Sequence, residues 1–131
     1  MSARETLERH AEEFRQATGL AADIVEEGNR ICAVIRQVPL PPGLFKVEKS
    51  DVLFLADKQY PLSALEMFWM EVPVVRANGT VPQGADQIET YLNRQWRRFS
   101  WHRNGLWNPA SNGLLDHFAF TESAWATEAK R

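Results

Sequence analysis

Arg30-Ile-Cys-Ala-Val-Ile-Arg-Gln-Val-Pro-Leu-Pro-Pro-Gly43 is an apolar, β-branched run closing on a proline-glycine turn signal. Length and β-branching predict a buried strand over Ile31 to Val38, with the chain turning at Pro41-Pro42-Gly43. Upstream, Glu26-Glu27-Gly28-Asn29 is a second turn signal, and Ala22 to Val25 can begin the sheet. Downstream, Val52 to Leu55 and Met67 to Val72 add two more apolar runs. Short turns join these candidates, whereas parallel neighbours need long crossovers. The pattern therefore predicts a four-stranded antiparallel meander.

Helical periodicity lies at the two ends of the chain. Ser2 and Glu5 form a Ser-x-x-Glu capping pattern, Leu7, Ala11 and Phe14 follow at helical spacing, and Gly19 supplies a stop. Leu114, Phe118 and Trp125 predict a closing helix, with Ser111 or Asn112 as its cap. Between Pro73 and that helix, Asn78-Gly79, Pro82 and Gly84 break any long element, leaving an irregular segment with a short helix near Ile88 to Leu92. The expected fold class is α/β of the α+β kind, with helices at both ends packed on the sheet. The length of 131 residues suits one domain spanning 1–131.

Composition narrows the function classes. Hydrophobic content of 44%, charged content of 24% and a net charge of -2 are those of a soluble globular protein with no general attraction to nucleic acid. No apolar run reaches the length of a membrane span, and the opening residues lack the layout of a secretory signal, so the cytoplasm is the expected location. Cys32 is the only cysteine, which rules out an internal disulfide. Its place in the predicted strand points to packing rather than thiol chemistry. His10, His102 and His117 share no metal-ligand spacing, so no metal and no cofactor is expected.

The candidate site is Trp96-Arg-Arg-Phe-Ser-Trp-His102, where a hydroxyl stands two positions before an imidazole in the most aromatic and basic part of the chain. A serine hydroxyl needs a neighbouring base at neutral pH, so Ser100 and His102 are the candidate catalytic pair. Asp86, Glu89 and Asp116 each offer a carboxylate to orient the imidazole, and spacing selects none of them. Arg97, Arg98, Trp101 and Arg103 are candidates for binding or oxyanion stabilisation. His10 and His117 are expected in solvated or packing roles. The arginine-aromatic mixture also suits single-stranded nucleic acid, a reading that the acidic net charge disfavours.

Several of these marks together resemble the ubiquitin-conjugating-enzyme superfamily, in particular its divergent bacterial branch, the prokaryotic family E. They are Pro41-Pro42-Gly43, Tyr60-Pro61 after a strand, Glu66-Met-Phe-Trp-Met70, Pro73, the Trp96 to His102 segment and Trp107-Asn-Pro109. The resemblance covers nearly the whole chain. It implies a conjugating transferase that meets a ubiquitin-like protein, an activating enzyme and an acceptor. The superfamily's thioester chemistry uses a cysteine on the loop after the fourth strand. No cysteine follows Cys32 here, and Ser100 is the residue nearest that position. The resemblance therefore implies an oxyester on Ser100 with His102 as base, or a non-catalytic scaffold for the same partners.

Overall fold

The computed structural model describes residues 2–103, 105 and 107–131. The opening helix, α1, runs Ala3–Thr18 and begins on reciprocal hydrogen bonds. The Glu5 amide donates to Ser2 Oγ at 3.1 Å, and the Ser2 amide donates to Glu5 Oε1 at 3.0 Å. Gly19 ends the helix in the left-handed region at φ 74°. Leu7, Ala11 and Phe14 are fully buried, so the apolar stripe read from the sequence is the face that packs inward.

The expected meander follows as β1 (Ala22–Glu27), β2 (Arg30–Pro39), β3 (Lys49–Asp57) and β4 (Phe68–Met70), each antiparallel to the next. A register shift between Ile35 and Val38 bulges β2. There Gln37 adopts φ 49° and its amide donates to Asp51 Oδ1 at 2.9 Å.

The sheet is larger than four strands. β5 (Gln87–Tyr91) and β6 (Arg94–Phe99) extend it to six in the order β1-β2-β3-β4-β6-β5. The short helix expected near Ile88 to Leu92 is thus a strand. Ile88 and Thr90 are β-branched residues on one side of a period-two pattern. Leu92 and Asn93, at φ 55° and 58°, form the two-residue turn that reverses the chain into β6. The segment before Ser100, read as loop, is also strand. It buries aromatics on both faces, which conceals its alternation: Trp96 lies on one side and Phe99 on the other, both fully enclosed.

The closing helix, α2, runs Leu114–Ala129. Its cap position is Gly113 rather than Ser111 or Asn112, and the Asp116 carboxylate accepts the Gly113 amide at 2.8 Å. Both helices contribute to a core on one face of the sheet, where Leu7, Phe14, Phe118 and Trp125 meet Ile31, Phe54, Phe68 and Phe99. Each such side chain contributes about 1.5–3 kcal/mol by leaving water.

The opposite face holds a second apolar cluster of Cys32, Val34, Leu53, Trp69 and Trp96. The β5–β6 hairpin folds back across it, with Tyr91 and Leu92 packed on the cluster. The Leu92 amide donates to Glu27 Oε2 on β1 at 2.9 Å, and the Arg30 guanidinium lies 5.0 Å from the Tyr91 ring centroid. The tip of the last hairpin therefore touches the first strand.

Candidate functional site

Ser100 is the first residue beyond β6 and is half-buried. Its amide donates to Gly84 O at 3.0 Å, and the neighbouring Trp101 indole donates to Gln83 O at 2.7 Å. Gly84 stands at φ 81°, and a Cβ there would lie 3.4 Å from the Trp101 indole nitrogen, so a side chain would meet both strain and contact. The irregular segment that carries Gly84 is itself strapped to β6. Arg97 Nε donates to Val72 O at 2.9 Å and its Nη1 donates to Ala85 O at 2.7 Å. Arg97 is therefore a buried strut between backbone carbonyls, and those two donors are not free for an oxyanion as expected. Burial pushes its guanidinium down from the ordinary arginine value, while the charge of Asp86 acts the other way.

The Ser100 hydroxyl meets an arginine rather than an imidazole. Arg98 Nε donates to Ser100 Oγ at 3.0 Å, and Arg98 Nη1 donates to Glu89 Oε2 at 2.8 Å. Glu89 Oε1 accepts from the Trp69 indole and the Tyr91 hydroxyl, both at 2.9 Å. Burial pushes the Glu89 carboxyl up, but the indole, the phenol and the Arg98 charge outweigh it and hold the group below its ordinary value. Glu89 therefore pairs with Arg98, and among the described residues no hydrogen bond or ion pair joins it to His102.

His102 Nδ1 lies 3.6 Å from Glu66 Oε2, and both side chains are 60% exposed. The imidazole also lines an open groove of about 400 Å³ with Trp101, Phe120, Ala124 and Thr127. Among the described residues, no hydrogen bond joins Ser100 to His102, so the expected pair is close in sequence without being in contact. Glu66 escaped the sequence reading because it lies in irregular chain just before β4 and comes to His102 only through the tertiary fold. The Arg98–Glu89 pair escaped it because the stretch near Ile88 to Leu92 reads as a short helix, whereas β5 occupies Gln87–Tyr91. In a hairpin closed by Leu92-Asn93, Glu89 faces Trp96, and Arg98 is its diagonal neighbour.

The other candidates are placed as follows. Arg103 stacks with its guanidinium 5.0 Å from the Trp107 ring centroid. Trp107 donates to Pro61 O at 2.7 Å, which ties the segment after the site to the Tyr60-Pro61 turn. Tyr60 is buried and its hydroxyl lies 2.7 Å from His10 Nδ1. Burial pushes His10 down despite the nearby charges of Glu13 and Asp116, and pushes the Tyr60 hydroxyl up. His117 is fully enclosed, with Nε2 donating to Met67 O at 2.8 Å, and burial pushes it down to about 4. Cys32 is fully buried under the hairpin, and burial pushes its thiol up to about 11, far from a thiolate at neutral pH. Among the described residues, no group of three or more histidine, cysteine, aspartate or glutamate side chains can hold a metal ion. No helix among them is long and apolar enough to cross a membrane.

The described site thus has one hydroxyl at a strand end, a guanidinium donating to it, and a carboxylate fixing that guanidinium. No curated protein and no solved structure matches the chain. Residues 7–128 match the sequence model of the prokaryotic E2 family E, from within α1 nearly to the end of α2. With helix, antiparallel meander, irregular segment and closing helix in the order expected of a ubiquitin-conjugating fold, the chain belongs to the prokaryotic E2 family E.

Proposed function

We propose that the chain is an acyl carrier in ubiquitin-like protein conjugation, with Ser100 as its nucleophile. The observation that carries this reading is the contrast between the two candidate atoms. The only thiol is sealed beneath the hairpin, whereas Ser100 Oγ stands at a strand end with a cationic donor on it. Guanidinium groups have no acceptor, so Arg98 must be the donor to Ser100 Oγ. The hydroxyl proton then points elsewhere, available to a base.

In the proposed first step, the oxygen attacks the C-terminal carbonyl of a ubiquitin-like protein presented as a thioester by its activating enzyme. The oxygen–carbon bond forms, the carbon–sulfur bond breaks, and the hydroxyl proton passes to His102 and then to the departing sulfur. To take the proton, the exposed His102 leaves Glu66 and turns from the groove beside α2 toward the hydroxyl. In the second step, an acceptor amine attacks the ester carbonyl. The nitrogen–carbon bond forms and the oxygen–carbon bond breaks, and His102 takes the proton that the amine sheds and passes it to the leaving oxygen while Arg98 stabilises its charge.

The test supplies the chain with its cognate activating enzyme, nucleotide and ubiquitin-like partner. A covalent adduct that survives thiol reductants, yields to hydroxylamine and maps to Ser100 is expected. Ser100→Ala abolishes it, His102→Ala slows it about 10²-fold or more, and Cys32→Ala leaves it unchanged. An adduct formed by Ser100→Ala at the wild-type rate overturns the serine mechanism.

One observation favours a second reading. His102 is paired with Glu66 rather than with Ser100, leaving the hydroxyl without a base, as suits a scaffold that binds the same partners without accepting the acyl group. Binding of the partners with no adduct at all selects this reading.

A further inference from the structure

Glu89 carries more hydrogen bonds than a hairpin surface carboxylate requires. Its two oxygens collect the Trp69 indole, the Tyr91 hydroxyl and the Arg98 guanidinium within 2.8–2.9 Å. Trp69 is almost wholly buried in the second apolar cluster, and Tyr91 packs against it. Two of the three donors are therefore fixed by the core. Arg98 is the member least fixed by packing: its side chain is 31% exposed, and a long, flexible side chain needs a partner to hold it in one geometry.

We propose that Glu89 is a positioning residue, which holds Arg98 so that its Nε–H points at Ser100 Oγ. Rigidity passes from the apolar cluster through the indole and the phenol to the carboxylate, then through the guanidinium to the hydroxyl. This rests on Ser100 being the acyl-carrying oxygen, but it predicts an electrostatic property of the position that needs no partner protein to measure. With Arg98 held, the oxygen is stabilised as an anion both when it attacks and when it leaves.

The experiment introduces a titratable probe by Ser100→Cys and follows its alkylation by iodoacetamide against pH. Cys32 is enclosed, with its thiol up at about 11, and stays silent in this window. An opposite charge within hydrogen-bond reach lowers the probe's pKa by about one unit from the free-thiol value near 8.5, and Arg98→Gln restores it. Adding Glu89→Gln or Glu89→Ala separates two roles by sign. If Glu89 acted only through its charge, removing that charge would lower the pKa further. If it positions Arg98, removal lets the guanidinium swing away and raises the pKa by about one unit.

A rise in both variants is the expected result. A fall or no change in either overturns the proposal. Intact tryptophan fluorescence confirms that the hairpin is folded, and the isosteric glutamine keeps the test valid if the alanine variant is unstable. The outcome is independent of whether the wild type forms an oxyester, so failure of the serine reading and failure of this inference are told apart.

Discussion

His117 shows how much one enclosed group can weigh on stability. Its folded pKa near 4 lies below the ordinary 6.5, so the unfolded chain takes up the extra proton first as the medium becomes acidic. The stability associated with the neutral ring is complete above pH 6.5 and drains away between 6.5 and about 4. A displacement of that size corresponds to roughly 3 kcal/mol. His117→Gln keeps a donor for Met67 O but cannot titrate, so its urea midpoint falls less over that pH interval than the wild type's. Parallel pH profiles would show that the ring is not the titrating group. Sequence reading had assigned His117 to packing or solvent, and packing is what the structure shows. The separation of Ser100 from His102 was less legible, for a plain geometric reason. Arg98 holds the Ser100 hydroxyl on the hairpin side, whereas His102 lies by Glu66 in the groove along α2, so closeness in sequence does not bring them together.

Elements with an uninterrupted period were the readable ones. The capping box and stripe of α1, the apolar runs of β1 to β4 and the spacing in α2 all express one local rule repeated several times. The β5–β6 hairpin does not, because its turn is Leu92-Asn93 rather than a glycine pair, and because β6 buries aromatics on both sides. The start of α2 was misread for another local reason: Gly113 occupies the cap for want of space. Its backbone is extended at φ -161°, which any residue adopts, but an added Cβ would lie 2.8 Å from His10 Nδ1 on α1. Gly113→Ala is expected to cost about 1–3 kcal/mol by pushing the two helices apart. The cost should shrink in a His10→Ala background, where the obstructing ring is gone. Equal costs in both backgrounds, measured by denaturant unfolding, would place the strain elsewhere.

Across the molecule, the six-stranded sheet is covered on one side by the helices and on the other by its own last hairpin. This arrangement also accounts for the arginine-rich segment. Arg94 pairs with Asp51 at 3.0 Å, Arg97 holds carbonyls and Arg98 holds Glu89, so the cations that suggested a nucleic-acid surface are engaged within the fold. The fold class was legible because both helix stripes and the meander point to a common core. The second cover was not, since nothing in residues 87–99 announces that Leu92 will reach Glu27. That reach makes the lone thiol a clock. Cys32 lies under the hairpin, so a thiol reagent reaches it only when this cover lifts, and its labelling rate counts those openings. Glu27→Ala removes the acceptor that holds the tip, and should speed labelling of Cys32 by more than any accompanying loss of global stability explains. Labelling that tracks global unfolding alone would mean the hairpin and the sheet open as one.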